Sequence, residues 1–179
     1  MDRMPDFAFR IMSFMFHVGD LFKSPDHRLD AFDIRQGQTV VDWGCGTGRH
    51  LRQASVLVGE GGTVYAVDIH QLAVEAAVNV AGKFNLRNIH PVLTDGKSVA
   101  IPSQSADVVY ALDMFHMVSD PNGFLAELCR ITKPEGILFL EDGHQPRELA
   151  MQKIRSSGCW EIILETTGHL KCRPTSRGM

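Results

Sequence analysis

Apolar positions change their period along this chain of 179 residues. Over residues 7–22 they recur at helical spacing, with Phe7, Ile11, Phe14, Met15, Val18 and Phe22 on one stripe, which predicts a helix. Ser24-Pro25-Asp26 punctuates it, and a second short helix is expected over residues 26–32. From residue 38 the pattern becomes an alternation. "TVVDW" reads as a β-branched strand ending at glycine, "GRHLRQASVLVG" as a helix stopping at Gly59, and "GGTVYAVDI" (61–69) as a strand again. "HQLAVEAAVNVAGKFN" is an alanine-rich helix ending near Asn85. "IHPVLTD" (89–95) gives a third strand, weakened by Pro91, and "ADVVYALD" (106–113) a fourth. "DPNGFLAELCRIT" (120–132) is a helix whose start is marked by Asp120 and Pro121. "KPEG" reads as the turn from that helix into a fifth strand, "ILFLED" (137–142).

Strands that alternate with helices argue for a parallel sheet covered on both faces. The tail breaks the alternation: "CWEIILET" (159–166) and "HLKCR" (169–173), separated by Thr167-Gly168, read as a hairpin. The sheet is therefore expected to end in an antiparallel pair. The chain divides into an N-terminal helical cap, residues 1–37, and one compact core, residues 38–179.

Composition narrows the function classes. The length suits a single domain with a real core, and 44% apolar with 22% charged residues is ordinary for a globular protein. A net charge of −3 supplies no general basic field, so nucleic acid is not favoured as a partner. Cys45, Cys129, Cys159 and Cys172 show no C-x-x-C spacing, which fits reduced thiols and no metal cluster. The most apolar stretch, 7–22, is interrupted by Arg10, His17 and Asp20 and is shorter than the ~20 residues a bilayer needs. No membrane span or signal peptide is expected, and the default location is cytoplasmic.

The candidate chemistry begins in "TVVDWGCGTGRHL". In an open α/β sheet, ligands sit beyond the carboxyl ends of the strands, where glycines let them approach the backbone. Gly44, Gly46 and Gly48 form G-x-G-x-G, whereas a dinucleotide fingerprint needs its third glycine one residue later, where this chain has Arg49. Asp68 ends the second strand, 20 residues past Gly48, where a carboxylate can accept both ribose hydroxyls. Asp95, followed by Gly96, ends the third, where it can accept from an adenine amino group. Asp42 precedes the loop and suits a cationic group better than a pyrophosphate. Together these acids outline an adenosine with an amino or sulfonium tail, that is, S-adenosylmethionine.

The motifs "VVDWGCGTG", "VYAVDI", "LTDG", "ADVVYALDMFHMV" and "LAELCRITKPEGILFLED" resemble, in order and spacing over residues 38–142, those of class I S-adenosylmethionine-dependent methyltransferases. The likeness is to the type 11 group that includes the ubiquinone and menaquinone biosynthesis methyltransferases. It implies an α/β fold: a Rossmann-like, doubly wound seven-stranded sheet with a C-terminal antiparallel hairpin and an N-terminal helical cap. By position it implies that Gly44, Cys45, Gly46 and Gly48 wrap the methionine part, with Asp42 supporting its ammonium. Asp68 would hold the ribose with Ile69 against the adenine, Asp95 and Gly96 would face the adenine amino group, and Leu112 would line the methionine end.

Methyl transfer from a sulfonium is an in-line displacement with a good neutral leaving group, so alignment and water exclusion dominate. A base is needed only for an acceptor protonated at working pH, and no catalytic residue is assigned. His116 after the fourth strand, and Asp142 and His144 after the fifth, are the candidates. The expected acceptor is a small molecule. "LDMF" lacks the N-P-P-Y-like motif of enzymes that methylate amide or adenine nitrogens, and only about six residues separate the fifth strand from the next helix. The helix over 7–22 is expected to fold over the cofactor site, or to offer a homodimer or partner-subunit surface. Two other classes remain open: a non-catalytic cofactor-binding subunit that needs a partner, and a nicotinamide oxidoreductase.

Overall fold

The computed structural model describes residues 5–9, 11 and 27–175. Most of the expected helix over 7–22 lies outside the described residues. Within them, residues 6–9 and 11 are helical, and Arg28–Phe32 form a 3-10 helix in place of the second α-helix expected there.

The core is one sheet of seven strands: β1 (Thr39–Trp43), β2 (Thr63–Asp68), β3 (Ile89–Leu93), β4 (Ala106–Ala111), β5 (Thr132–Leu140), β6 (Trp160–Glu165) and β7 (Leu170–Pro174). Their order is β3-β2-β1-β4-β5-β7-β6. The first five run parallel, while β7 pairs antiparallel with both β5 and β6. This is the doubly wound sheet with a terminal hairpin that the strand pattern predicts. The order reverses between β1 and β4, and that switch point is where a crevice opens at the carboxyl edge.

Both faces of the central strands are buried because successive side chains point to opposite sides. Val40, Val108 and Phe139 face α1 (Leu51–Val58) and α2 (Gln71–Phe84), which present Leu51, Ala54, Val58, Ala73 and Ala77. Val41, Val109 and Leu138 face α3 (Pro121–Ile131) and α4 (Arg147–Ser157), which present Phe124, Leu125, Leu128 and Ile154. Each large apolar side chain so buried contributes about 1.5–3 kcal/mol relative to exposure.

Local signals set the boundaries. Asp120 caps α3 by accepting from the Gly123 amide at 3.0 Å, with Pro121 in the first turn. Asn85 ends α2 in the left-handed conformation at φ 52°. Pro91 is tolerated because β3 is an edge strand. One expectation is corrected: "KPEG" is no free turn. β5 begins at Thr132 directly after α3, and the residues up to Gly136 form a bulge where the pairing jumps from Ala106↔Thr132 to Val108↔Ile137.

Candidate functional site

The segment after β1 turns back under the carboxyl end of β2. The amides of Gly44 and Cys45 both donate to the Val67 carbonyl, at 2.8 and 3.0 Å, and Gly48 donates to the Cys45 carbonyl at 2.9 Å. Gly44 has φ +84°, where an L side chain is strained, and a Cβ there would lie 3.1 Å from the Met114 side chain, which would have to shift. Gly48, at φ +76°, would meet Leu51 and Val80 at 3.1 and 3.2 Å. The loop is thus pressed between β1, α1, α2 and the segment that follows β4.

Asp68 fastens this loop from the next strand. One carboxylate oxygen accepts from the Gly46 amide at 2.9 Å and the other from the His70 amide at 2.8 Å. Burial pushes its carboxyl up, and these amides oppose the shift. Each oxygen keeps a second lone pair for an incoming hydroxyl. Ile69 follows it, half-buried.

Asp42 lies beneath the loop, 3% exposed, with its Oδ2 lacking any hydrogen-bond partner among the described residues. Burial raises its pKa to about 7, the neighbouring Tyr110 hydroxyl opposes the shift, and the negative charge of Asp68 adds to it. Tyr110 is the residue opposite Asp42 across the β1–β4 pair. The buried Tyr110 hydroxyl beside Asp42 is also without a hydrogen-bond partner among the described residues, so this pair of polar groups holds acceptor capacity that a cation can meet. Cys45 is buried and its thiol is pushed well above its ordinary value, first by burial and then by Asp42 and Asp68. It remains a thiol and is no nucleophile.

Asp95 behaves differently from Asp42 and Asp68. It is exposed, and its Oδ1 accepts from the Lys97 and Ser98 amides at 2.8 and 3.0 Å. Those bonds hold its carboxyl below the ordinary value. It caps its own turn, with Gly96 at φ +82° inside it, and presents its carboxylate at the carboxyl end of β3. Leu112, half-buried, follows β4 at the same edge.

Next to this crevice, beyond β4 and β5, lies a cluster of imidazoles and acids. The rings of His116 and His144 meet edge-on with centroids 5.0 Å apart, and His144 Nε2 is 3.8 Å from Asp113 Oδ1. His116 fits because Gly143 has no side chain: a Cβ there would sit 2.0 Å from His116 Nδ1. Asp142 is committed elsewhere. Its Oδ2 pairs with Arg147 Nε at 2.5 Å, and Arg147 also donates to the Thr166 carbonyl at 2.7 Å, bracing the β6–β7 hairpin. Asp142 Oδ1 has no hydrogen-bond partner among the described residues, and neither has His116 Nδ1.

Three further polar groups at this edge escape a reading of the sequence. Arg28, from the 3-10 helix, pairs with Glu141, whose carboxyl is raised by burial and lowered in part by that arginine. His169 packs edge-on against Phe32 and Phe139, and burial together with Arg147, Arg28 and Lys171 lowers the pKa of its ring. Arg28 and Glu141 are 113 positions apart, so no local pattern could have paired them. A cavity of about 850 Å³ opens on the opposite edge of the sheet, where Ser55 bonds Asn88 at 2.6 Å and Asn88 bonds the Gly59 carbonyl at 2.8 Å.

The acid–loop–acid arrangement coincides with a known family. The family described as "Methyltransferase domain" matches residues 41–140. Nocamycin O-methyltransferase of Saccharothrix syringae is 35% identical over 138 residues, 75% of this chain and 49% of that protein. The ubiquinone/menaquinone biosynthesis C-methyltransferase of Vibrio vulnificus is 30% identical over 158 residues, 82% of this chain and 59% of that one. This chain therefore spans about half to three-fifths of the length of these two relatives. Among solved structures, a SAM dependent methyltransferase from Aquifex aeolicus superposes with a TM-score of 0.82 at 22% identity, covering 97% of this chain and 100% of the other.

Proposed function

Since the chain belongs to the class I S-adenosylmethionine-dependent methyltransferases, we propose that it transfers a methyl group from S-adenosylmethionine to a small-molecule acceptor. The cofactor is that of the family. The nicotinamide and non-catalytic alternatives gain no support from the relatives. The observation that carries the reading is the buried Asp42, with its unmet oxygen, beneath a glycine loop that Asp68 fastens from the neighbouring strand. A cation fits the first acid and a ribose diol the second.

In this reading Gly44, Cys45, Gly46 and Gly48 line the methionine part through their backbone, while Asp42 attracts its ammonium. Asp68 accepts from the ribose hydroxyls, Ile69 packs on the adenine, Asp95 and Gly96 meet its amino group, and Leu112 lines the methionine end. When bound, the cofactor supplies an activated methyl group on sulfur. The protein's share is to align the acceptor and exclude water. His116 and His144 stand where an acceptor would approach and are the residues we assign to removing a proton from it. Four free thiols suit the reducing conditions of a cytoplasm, where we place the protein.

Calorimetry with S-adenosylhomocysteine tests the cofactor site directly. Binding with a 1:1 stoichiometry is expected. A larger thermal shift with NADH than with S-adenosylhomocysteine would refute the assignment. Incubation with labelled methyl donor and a panel of phenolic, carboxylic and amine acceptors then tests the transfer.

A further inference from the structure

We infer that Cys129 and Cys159 form an oxidisable dithiol, a modification site at the edge of the sheet opposite the cofactor crevice. Peroxide converts the pair reversibly into a disulfide that joins α3 to the start of β6. The inference goes beyond the proposed methyl transfer and uses none of its residues.

Two segments bring the sulfurs together across 30 positions of sequence. α3 runs back from the cofactor edge, so Cys129, in its last turn, reaches the amino edge of the sheet. β6 runs parallel to β5, because both pair antiparallel with β7, so Cys159, just before Trp160, lies at that same edge. Trp160 fixes the alignment: its indole Nε1 donates to the Leu125 carbonyl at 2.9 Å. Leu125 and Cys129 are four positions apart on one face of α3, which sets Cys159 over Cys129. The Cys129 thiol donates to the Cys159 carbonyl at 3.7 Å, and that carbonyl also receives the Thr175 amide, from just beyond β7, at 2.8 Å. The Cys159 thiol turns to the Ser157 carbonyl at 3.4 Å.

The two thiols differ in access. Cys129 is buried, and burial first, then the Cys159 thiol through its charge and a side-chain hydrogen bond, pushes its pKa up to about 11. A buried cysteine alone is ordinary packing, but a second sulfur in reach of it and half open to solvent is not something packing requires. Cys159 is therefore the sulfur that meets a small oxidant. It loses its proton, and its thiolate attacks one oxygen of hydrogen peroxide. The O–O bond breaks, and the released hydroxide takes up a proton and leaves as water. The Cys129 sulfur then attacks the sulfur of the Cys159 sulfenic acid. The S–O bond breaks, and the departing hydroxide leaves as water with the Cys129 proton. The thiols have lost two electrons and two protons, and the peroxide has become two waters. A small thiol reductant restores the pair by exchange.

Mass spectrometry of the full chain after brief exposure to hydrogen peroxide, quenched by alkylation, tests the site. The expected product has lost two hydrogen masses. Its non-reduced peptide map joins the peptides of Cys129 and Cys159, leaves Cys45 and Cys172 alkylated, and returns to the starting map with dithiothreitol. In Cys129→Ser, which lacks the second thiol, dimedone should trap the sulfenic acid on Cys159. Cys159→Ser should leave Cys129 reduced under the same exposure. Sulfinic acid on Cys159 without the cross-link in the wild type overturns the inference, as does a cross-link between other cysteines. Survival of all four thiols in peroxide that oxidises free cysteine overturns it too. The wild-type map decides the matter even where a variant fails to fold.

Discussion

The carboxylate of Asp68 and the amide of Gly46 meet at 2.9 Å, joining the end of the second strand to the loop that follows the first. One side chain therefore shapes the glycine loop and, in the proposed function, receives the ribose. Asp68→Ala should weaken S-adenosylhomocysteine binding by about 1–3 kcal/mol, the cost of losing hydrogen bonds to a carboxylate. Asp68→Asn should lose less, because its amide oxygen can still accept from Gly46. Titration calorimetry on the folded variants checks both values, and unchanged affinity in Asp68→Ala removes Asp68 from the site.

Asp42 predicts a conflict between stability and binding. Its carboxyl titrates near 3.8 when unfolded and at about 7 when folded. Between those values the folded protein holds the extra proton, so this group's contribution to stability falls as pH rises from about 4 to 7, then stays flat. A shift of that size corresponds to at most about 4 kcal/mol. Asp42→Asn should remove this slope and raise the melting temperature of the ligand-free protein at pH 8. It should also weaken S-adenosylhomocysteine, because the ammonium loses its counter-charge. In the wild type, binding below pH 7 should release about one proton, visible as a binding enthalpy that tracks the ionisation enthalpy of the buffer. No dependence on buffer means that Asp42 does not change charge on binding.

Gly143 gives His116 the room its ring occupies. At φ +66°, with His116 Nδ1 only 2.0 Å from where a Cβ would stand, Gly143→Ala is strained in backbone and in contact. It should cost about 1–3 kcal/mol of stability and displace the His116 ring from His144. Gly61→Ala, with nothing within 4 Å of its added methyl, should be close to neutral. Thermal denaturation compares the two. Histidine side-chain NMR resonances report whether His116 moves.

What the chain's pattern reveals and what it hides divide on physical lines. Strands β1, β2 and β4 are legible because their β-branched runs are buried on both faces and stop at acids or glycines. The acids at 42 and 68 are legible because strand ends place them at one edge whatever the loops do. The bulge after Thr132 is not legible, since "KPEG" reads locally as a turn and only pairing with β4 makes it part of a strand. Asp95 is legible as a strand-end acid, yet its self-capped turn appears only in three dimensions. The pairing of Arg28 with Glu141 and the stack of Phe9 on His70 join distant segments, and residue order carries no signal for either.

The last prediction concerns the loop between β3 and β4, which the Glu127–Arg130 ion pair helps to hold. Arg130 donates to both oxygens of Glu127 at 2.7 Å and to the carbonyls of Ile101 and Val99 at 3.0 and 3.1 Å. Glu127 in turn accepts from the Val99 amide at 2.8 Å. Burial alone raises the Glu127 carboxyl, but the bonds from Arg130 and Val99 outweigh it and hold it below its ordinary value of 4.5. Its stabilising contribution is therefore complete above about pH 4.5 and is lost as pH falls through the lower folded value. Arg130→Met should remove this contribution. Arg130 is partly exposed, so the cost is set at about 1–3 kcal/mol at neutral pH, below that of a fully buried pair. The variant's deficit should shrink as Glu127 is protonated in acid. Melting curves from pH 7 down to pH 3 test this, and a deficit that stays constant across the range would show that Arg130 acts through packing and its carbonyl bonds alone.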